Sequence, residues 1–130
     1  MPSTVIEVCI ERSPQQEAAL IDAVHAALVE AFQIPQNDGE IRLLVHAAHR
    51  MRCPGRTQPQ LMTIVSIDAF AGRSLDAKRK LYRSIADKLG RLGIPSDHVM
   101  TVLRDVPREN WGLRGGRAGC DVELGFKVEV

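Results

Sequence analysis

Two hydrophobic rhythms alternate along the chain, and they occur in the same order twice. Near the amino end, Ser3 to Ile10 (STVIEVCI) places apolar residues at Val5, Ile6, Val8 and Ile10, the density of a short, largely buried strand. Ser13 and Pro14 then supply a helix start. The hydroxyl serves as N-cap, proline takes the first helical position, and Glu17 sits where the helix dipole favours an acid. Ala18, Ile21, Val24, His25, Leu28, Val29 and Phe32 recur at spacings of three and four, which predicts a helix to about Phe32. Pro35, Asn37, Asp38 and Gly39 break it, and Ile41 to Val45 (IRLLV) reads as a second strand.

The second half repeats the plan. Leu61 to Ile67 (LMTIVSI) predicts a strand, Gly72 to Ser74 a turn, Leu75 to Leu92 an amphipathic helix, and Val99 to Leu103 (VMTVL) a fourth strand. The match is residue by residue in places. Arg12 precedes Leu20 by eight residues as Arg73 precedes Leu81, and the helices end in Ile34-Pro35 and Ile94-Pro95. Each half is a β-α-β unit, and strand pairs joined through a helix cross over right-handedly. The expected fold is α/β (α+β): one domain over residues 1–130, with pseudo-repeats at about 2–46 and 61–104, a four-stranded sheet, and two helices on one face. Ala47 to Gln60 is the connector. The segment 105–130, with alternation from Val122 to Val130, suits a short hairpin or an arm laid on a neighbouring chain. Strands TVIEVCI and LMTIVSI read as apolar on both faces, so the helix-free face is expected to be buried by other subunits.

Charge and composition narrow the function. Lys and Arg number 17 against 16 Asp and Glu, spread along the chain, which argues against nucleic acid and anionic membranes as partners. No apolar run reaches membrane-spanning length and the amino end lacks a signal-peptide pattern, so a soluble, cytoplasmic protein is expected. Three cysteines without CxxC spacing and four histidines without HxxxH or HExxH predict no disulfide framework, metal or cofactor.

Pro2 starting a strand, an arginine ending it, the β-α-β repeat and a closing NWGLRGG (Asn110 to Gly116) together resemble the tautomerase superfamily over essentially the whole chain. Within it, AGRSLDAKRKLYRSIADKL (Ala71 to Leu89) and PRENWG (Pro107 to Gly112) are similar to the fused-repeat group around malonate semialdehyde decarboxylase. The short relatives, typified by 4-oxalocrotonate tautomerase, are single β-α-β units assembling as hexamers, and the fused ones form trimers. The resemblance therefore implies a homotrimer and an acid/base proline, freed by removal of Met1. An α-amino group titrates closest to neutrality of the chain's amines, and burial beside an arginine lowers it further.

The remaining candidates follow. The turn holding Arg73 lies at the C-terminal end of a strand, where its guanidinium fork can hold a substrate carboxylate; in the decarboxylase-like group the arginine of this turn does so. That decarboxylase has a second arginine two residues earlier, where Ala71 stands here. Asp38 matches the family's acid beside the proline, although NDGE is also an ordinary turn. Arg12 matches the carboxylate-binding arginine of the short members, which makes it a secondary substrate contact. His46 and His49 are candidate donors to a substrate oxygen, with a satisfied structural histidine the alternative. Trp111, with Asn110 and Gly112, is expected to shape the pocket or a subunit contact; Arg114 and Arg117 face either a neighbour or solvent. The expected reaction is keto-enol proton transfer on a small 2-oxo or 2-hydroxy acid, with Pro2, Arg73 and Asp38 catalytic and Arg12, His46 and Trp111 binding substrate. Its rivals are decarboxylation or hydration by a protonated Pro2, and a trimer that binds a metabolite without turnover. A ferredoxin-like binding module shares the element order but gives no reason for Pro2 or the GRS turn.

Overall fold

The computed structural model describes residues 1–130. Its main elements are β1 (Ser3–Val8), α1 (Pro14–Phe32), β2 (Glu40–Val45), β3 (Thr63–Phe70), α2 (Leu75–Gly90) and β4 (Val99–Val106). The strands form one sheet in the order β2-β1-β3-β4, with β1 parallel to β2, β3 parallel to β4, and β1 antiparallel to β3. The two β-α-β halves thus lie head to tail, so the start of one inner strand meets the end of the other.

Local chemistry fixes the helix ends. Ser13 and Gln16 form a reciprocal capping box: Gln16 N–H donates to Ser13 Oγ at 3.1 Å, and Ser13 N–H to Gln16 Oε1 at 2.9 Å. Ser74 caps α2, its Oγ accepting from Ala77 N–H at 3.1 Å. At the other end, Gln33 and Gly93 both adopt positive φ, 55° and 91°, immediately before the two Ile-Pro pairs that stop the helices.

Alternation along the inner strands builds the core. Ile6 and Val8 of β1 and Val65, Ile67 and Ala69 of β3 face the helices, which meet them with Leu20, Val24, Leu28 and Phe32 from α1 and Leu81, Ile85 and Leu89 from α2. All belong to one buried cluster spanning both halves. Each of the Val, Leu, Ile and Phe side chains contributes about 1.5–3 kcal/mol by leaving water.

The helix-free face differs from the expectation of strands apolar on both sides. Cross-strand rows there run Leu44–Glu7–Ile64–Met100, then Arg42–Val5–Ser66–Val102, then Glu40–Ser3–Asp68–Arg104. Apolar and polar residues are interleaved, because every second residue of β1 and β3 on this side alternates in character. Leu44, Met100 and Val102 remain 48%, 43% and 39% exposed, while Arg104 pairs with Asp68 at 2.6 Å at the row's edge.

β1 ends at Val8 rather than Ile10, α2 at Gly90 rather than Leu92, and β4 runs on to Val106 rather than Leu103, and two further segments depart from the sequence reading. β3 begins at Thr63 because Pro59–Leu61 forms a 3₁₀ turn, and it runs on to Phe70. After β4 come two short strands, β5 (Gly112–Leu113) and β6 (Arg117–Ala118), paired as a hairpin. The final stretch is not a strand, and it packs on its own chain: Val122 and Val128 are buried, Phe126 and Val130 touch the core, and Ser74 N–H donates to the Val130 carbonyl group at 2.9 Å. No helix is long and apolar enough to cross a membrane.

Candidate active site

Because β1 runs antiparallel to β3, the chain's amino end reaches the turn that follows β3. Pro2 is buried, and its carbonyl accepts from Glu40 N–H at 3.1 Å, which fixes it against the start of β2. Gly39, at φ 93°, passes so close that a side chain there would put its Cβ 3.4 Å from Pro2 Cδ. The residue before it, Asp38, is held at three points. Its Oδ1 accepts from Gly39 N–H at 2.9 Å, and its carbonyl accepts from His25 Nε2 at 3.1 Å. Its Oδ2 is buried, accepts no aligned hydrogen bond, and lies 3.3 Å from the Met1 ammonium as an ion pair.

Arg73 completes the cluster. It is only 6% exposed, an uncommon burial for an arginine. Its Nη1 donates to the Phe70 carbonyl at 3.1 Å and its guanidinium carbon stands 4.7 Å over the Phe32 ring, so backbone and aromatic face set its direction. Nε and Nη2 are buried without an acceptor. Two open donors on a buried, permanently charged fork fit an incoming carboxylate. Burial pushes the Arg73 pKa down from its ordinary value, with Asp105, Asp38 and Glu129 opposing the shift.

The amino terminus feels the same surroundings. Burial lowers the pKa of the Met1 amine below the ordinary 8.0 as the dominant cause; Asp38 and Glu40 oppose this and Arg73 adds to it. Trp111 belongs to this end of the sheet: its ring meets Phe70 edge-on at 5.1 Å and its Nε1–H donates to the Val106 carbonyl at 3.3 Å. It thereby braces the residue whose carbonyl holds Arg73. The largest hollow, about 770 Å³, lies between Arg108 and Val122–Glu129, and includes none of Pro2, Asp38 and Arg73.

Arg12 and His46 do not join the cluster. Both follow the C-terminal ends of β1 and β2, so the length of β1, about 20 Å at the usual strand rise, separates them from Pro2 within the chain. His46 instead pairs with Glu7 at 2.9 Å on the helix-free face, and His49 sits in the 3₁₀ turn that follows. Arg114 and Arg117 are also engaged, donating to the Glu123 and Asp121 carbonyls at 2.9 and 2.8 Å. Conversely, Phe32, His25, Phe70, Asp105 and Glu129 bear on the cluster and were not singled out for it. They come from α1, β3, β4 and the C-terminal stretch, and only the tertiary fold assembles them.

No curated protein matches the chain by sequence. Among solved structures, a fused 4-OT described as an asymmetric trimer superposes with a TM-score of 0.83 at 20% identity, covering 92% of this chain and 97% of that one. FG41 malonate semialdehyde decarboxylase, inhibited by 3-bromopropiolate, gives 0.80 at 26% identity, with 88% and 90% covered. Macrophage migration inhibitory factor of Toxoplasma gondii gives 0.75 at 18% identity, with 89% and 98% covered. The family model for tautomerase enzymes matches residues 39–114, a span from the Gly39 that packs on Pro2 through the Arg73 turn to Trp111 and beyond. With more than half of its length matched and its fold shared with the fused members, the chain belongs to the tautomerase family.

Proposed function

We propose that the protein is a tautomerase that moves a proton between oxygen and carbon of a small 2-oxo acid, using the secondary amine of Pro2 once Met1 is removed. One observation carries the reading: the chain's amino end, a buried carboxylate oxygen of Asp38 and a buried arginine with two open donors converge at one end of the sheet. Arg73 holds the substrate carboxylate through Nε and Nη2. The neutral amine of Pro2 takes the enol O–H proton; those electrons form the carbonyl, and the C=C pair becomes the new C–H bond as Pro2 returns the proton to carbon. Asp38 Oδ2 stabilises the transient prolinium, and Arg73 balances negative charge gathering on the enolate. The subunits assemble as a homotrimer, a reading supported by the half-exposed apolar rows of the helix-free face and by the trimeric relative.

A second reading has its own support. Asp38 also favours a protonated proline, and malonate semialdehyde decarboxylase is 26% identical, so a cationic Pro2 could polarise a carbonyl for decarboxylation. Ala71 in place of a second arginine weighs toward tautomerisation. The test compares wild type with Pro2→Ala on phenylenolpyruvate, 2-hydroxymuconate and malonate semialdehyde, after mass spectrometry shows that Met1 is gone. Enol turnover reduced about a hundredfold or more in the variant supports proton transfer by Pro2. Equal turnover in both proteins refutes it, and turnover of malonate semialdehyde alone selects decarboxylation.

A further inference from the structure

The direction of the Asp38 carboxylate is set by three bonds. Its N–H donates to the Pro35 carbonyl at 3.1 Å, which closes the turn on itself. Its Oδ1 accepts from Gly39 N–H at 2.9 Å, which leaves Oδ2 facing the amino end of the chain. Its carbonyl accepts from His25 Nε2 at 3.1 Å. The last bond differs in kind, because it ties the turn to the body of α1. A carbonyl oxygen only accepts, so Nε2 carries the hydrogen whatever the charge of the ring.

The internal repeat supplies a comparison within one chain. The register that pairs Arg12 with Arg73 and Leu20 with Leu81 pairs His25 with Ala86, whose methyl group can make no such bond. The acid that follows the second Ile-Pro pair, Asp97, has its side chain 80% exposed and accepts from the adjacent His98 Nδ1 at 2.8 Å. Asp38 is 11% exposed and faces the Met1 nitrogen at 3.3 Å, beside the Gly39 that packs on Pro2. Helix, Ile-Pro stop and acid therefore form without an imidazole in one half. The imidazole stands in the half that holds the chain's amino end.

We propose that His25 is a positioning residue, which fixes the Asp38 carboxylate beside the Pro2 nitrogen through its hydrogen bond to the Asp38 carbonyl. This role rests on the reading of Pro2 as the acid/base group. His25 acts on the reaction through Asp38 alone. Arg73 holds the substrate carboxylate, so loss of the imidazole leaves binding nearly unchanged and slows proton transfer. Misplacement of a catalytic group by about 1 Å can cost on the order of a hundredfold in rate.

The test is a mutant cycle on phenylenolpyruvate turnover in protein lacking Met1, with kcat and KM resolved. His25→Leu keeps the apolar stripe of α1 filled and removes the donor. It is expected to lower kcat about tenfold to a hundredfold, with KM within about threefold of wild type. His25→Gln, whose amide N–H can reach the same carbonyl, is expected to regain most of that loss. In an Asp38→Asn background His25→Leu is expected to cost less than about threefold, because the anion it positions is already gone. In the wild type, ¹⁵N NMR is expected to place the hydrogen of neutral His25 on Nε2, a readout that stands even if His25→Leu fails to fold. A neutral Nδ1–H form, a folded His25→Leu with unchanged kcat, equal losses in the two backgrounds, or a glutamine variant no better than leucine would each overturn the proposal. Pro2→Ala separates the two possible failures. If it is as active as wild type, the acid/base reading falls and this role with it; if it is crippled beside an unimpaired His25→Leu, the role of His25 falls alone.

Discussion

Replacing Arg73 by lysine preserves charge and removes the fork, which makes it a sharp probe of the active-site geometry. In the native protein Nη1 is committed to the Phe70 carbonyl at 3.1 Å, while Nε and Nη2 are the two donors left for substrate. A lysine ammonium can supply one of these at best and cannot do so in the same plane. A hydrogen bond to a charged group contributes about 1.5–3 kcal/mol, so losing one lowers kcat/KM roughly 10- to 150-fold. The substitution also loses the backbone bond and weakens the Phe32 stack, about 1–3 kcal/mol of stability. Activity is therefore compared well below the Tm of the variant, using phenylenolpyruvate, with KM and kcat resolved separately. If the carboxylate is bound equally in ground and transition states, the loss falls on KM; a loss in kcat as well means that Arg73 also stabilises the enolate. A folded Arg73→Lys within threefold of wild type in kcat/KM would refute the bidentate role.

Three further perturbations test other parts of the account. Asp38→Asn retains an oxygen for Gly39 N–H but removes the anion that raises the amine pKa, so the acid limb of the kcat/KM profile should move to lower pH; a shift to higher pH contradicts the arrangement. Gly72→Ala places a side chain at φ 134° with its Cβ 3.2 Å from Val128 Cγ1, so it should destabilise by about 1–3 kcal/mol in denaturant and speed proteolysis of residues 122–130, whereas unchanged stability would mean that the arm does not pack there. Met100→Lys places a charge at a 43%-exposed position of the helix-free face and should dissociate the proposed trimer in sedimentation, with little change in the intrinsic fold by circular dichroism; an unchanged assembly would shift the interface elsewhere.

The regular elements were legible because their cause is local. Periodic apolar residues and the Ser13-Pro14 and Ile-Pro signals predicted α1 to the residue at its C-terminus, and the repeat itself carried the sheet's composition and the helices' common face. The termini of β3 were less legible, since Leu61 and Met62 continue the apolar run but Pro59 turns the chain into a 3₁₀ helix first. Convergence of Pro2, Asp38 and Arg73 was readable from the family pattern. Within one chain Arg12 and His46 stand apart from Pro2 for a definite reason: pairing β1 antiparallel to β3 sends the two arginine turns of the repeat to opposite ends of the sheet. A repeat read only as sequence gives equivalence without direction. Phe32 and His25 were visible only as members of a helical stripe, and no local signal distinguishes a core phenylalanine from one that carries a guanidinium on its face. The Val122–Val130 alternation, which suits a short hairpin or an arm on a neighbouring chain, forms no strand here, and its apolar residues pack individually on the body of their own chain instead.

The central claim is that Pro2 works as a neutral amine near pH 7, and its most direct test is an ¹⁵N NMR titration of the Pro2 nitrogen in protein proven to lack Met1. Pro2 is buried at the end of the sheet that carries the Arg73 turn, and burial and a neighbouring cation both disfavour an ammonium, so a midpoint below the ordinary α-amino value of 8.0, coincident with the acid limb of kcat/KM, is expected. A midpoint at or above 8.0, or one that moves independently of the rate, would contradict it.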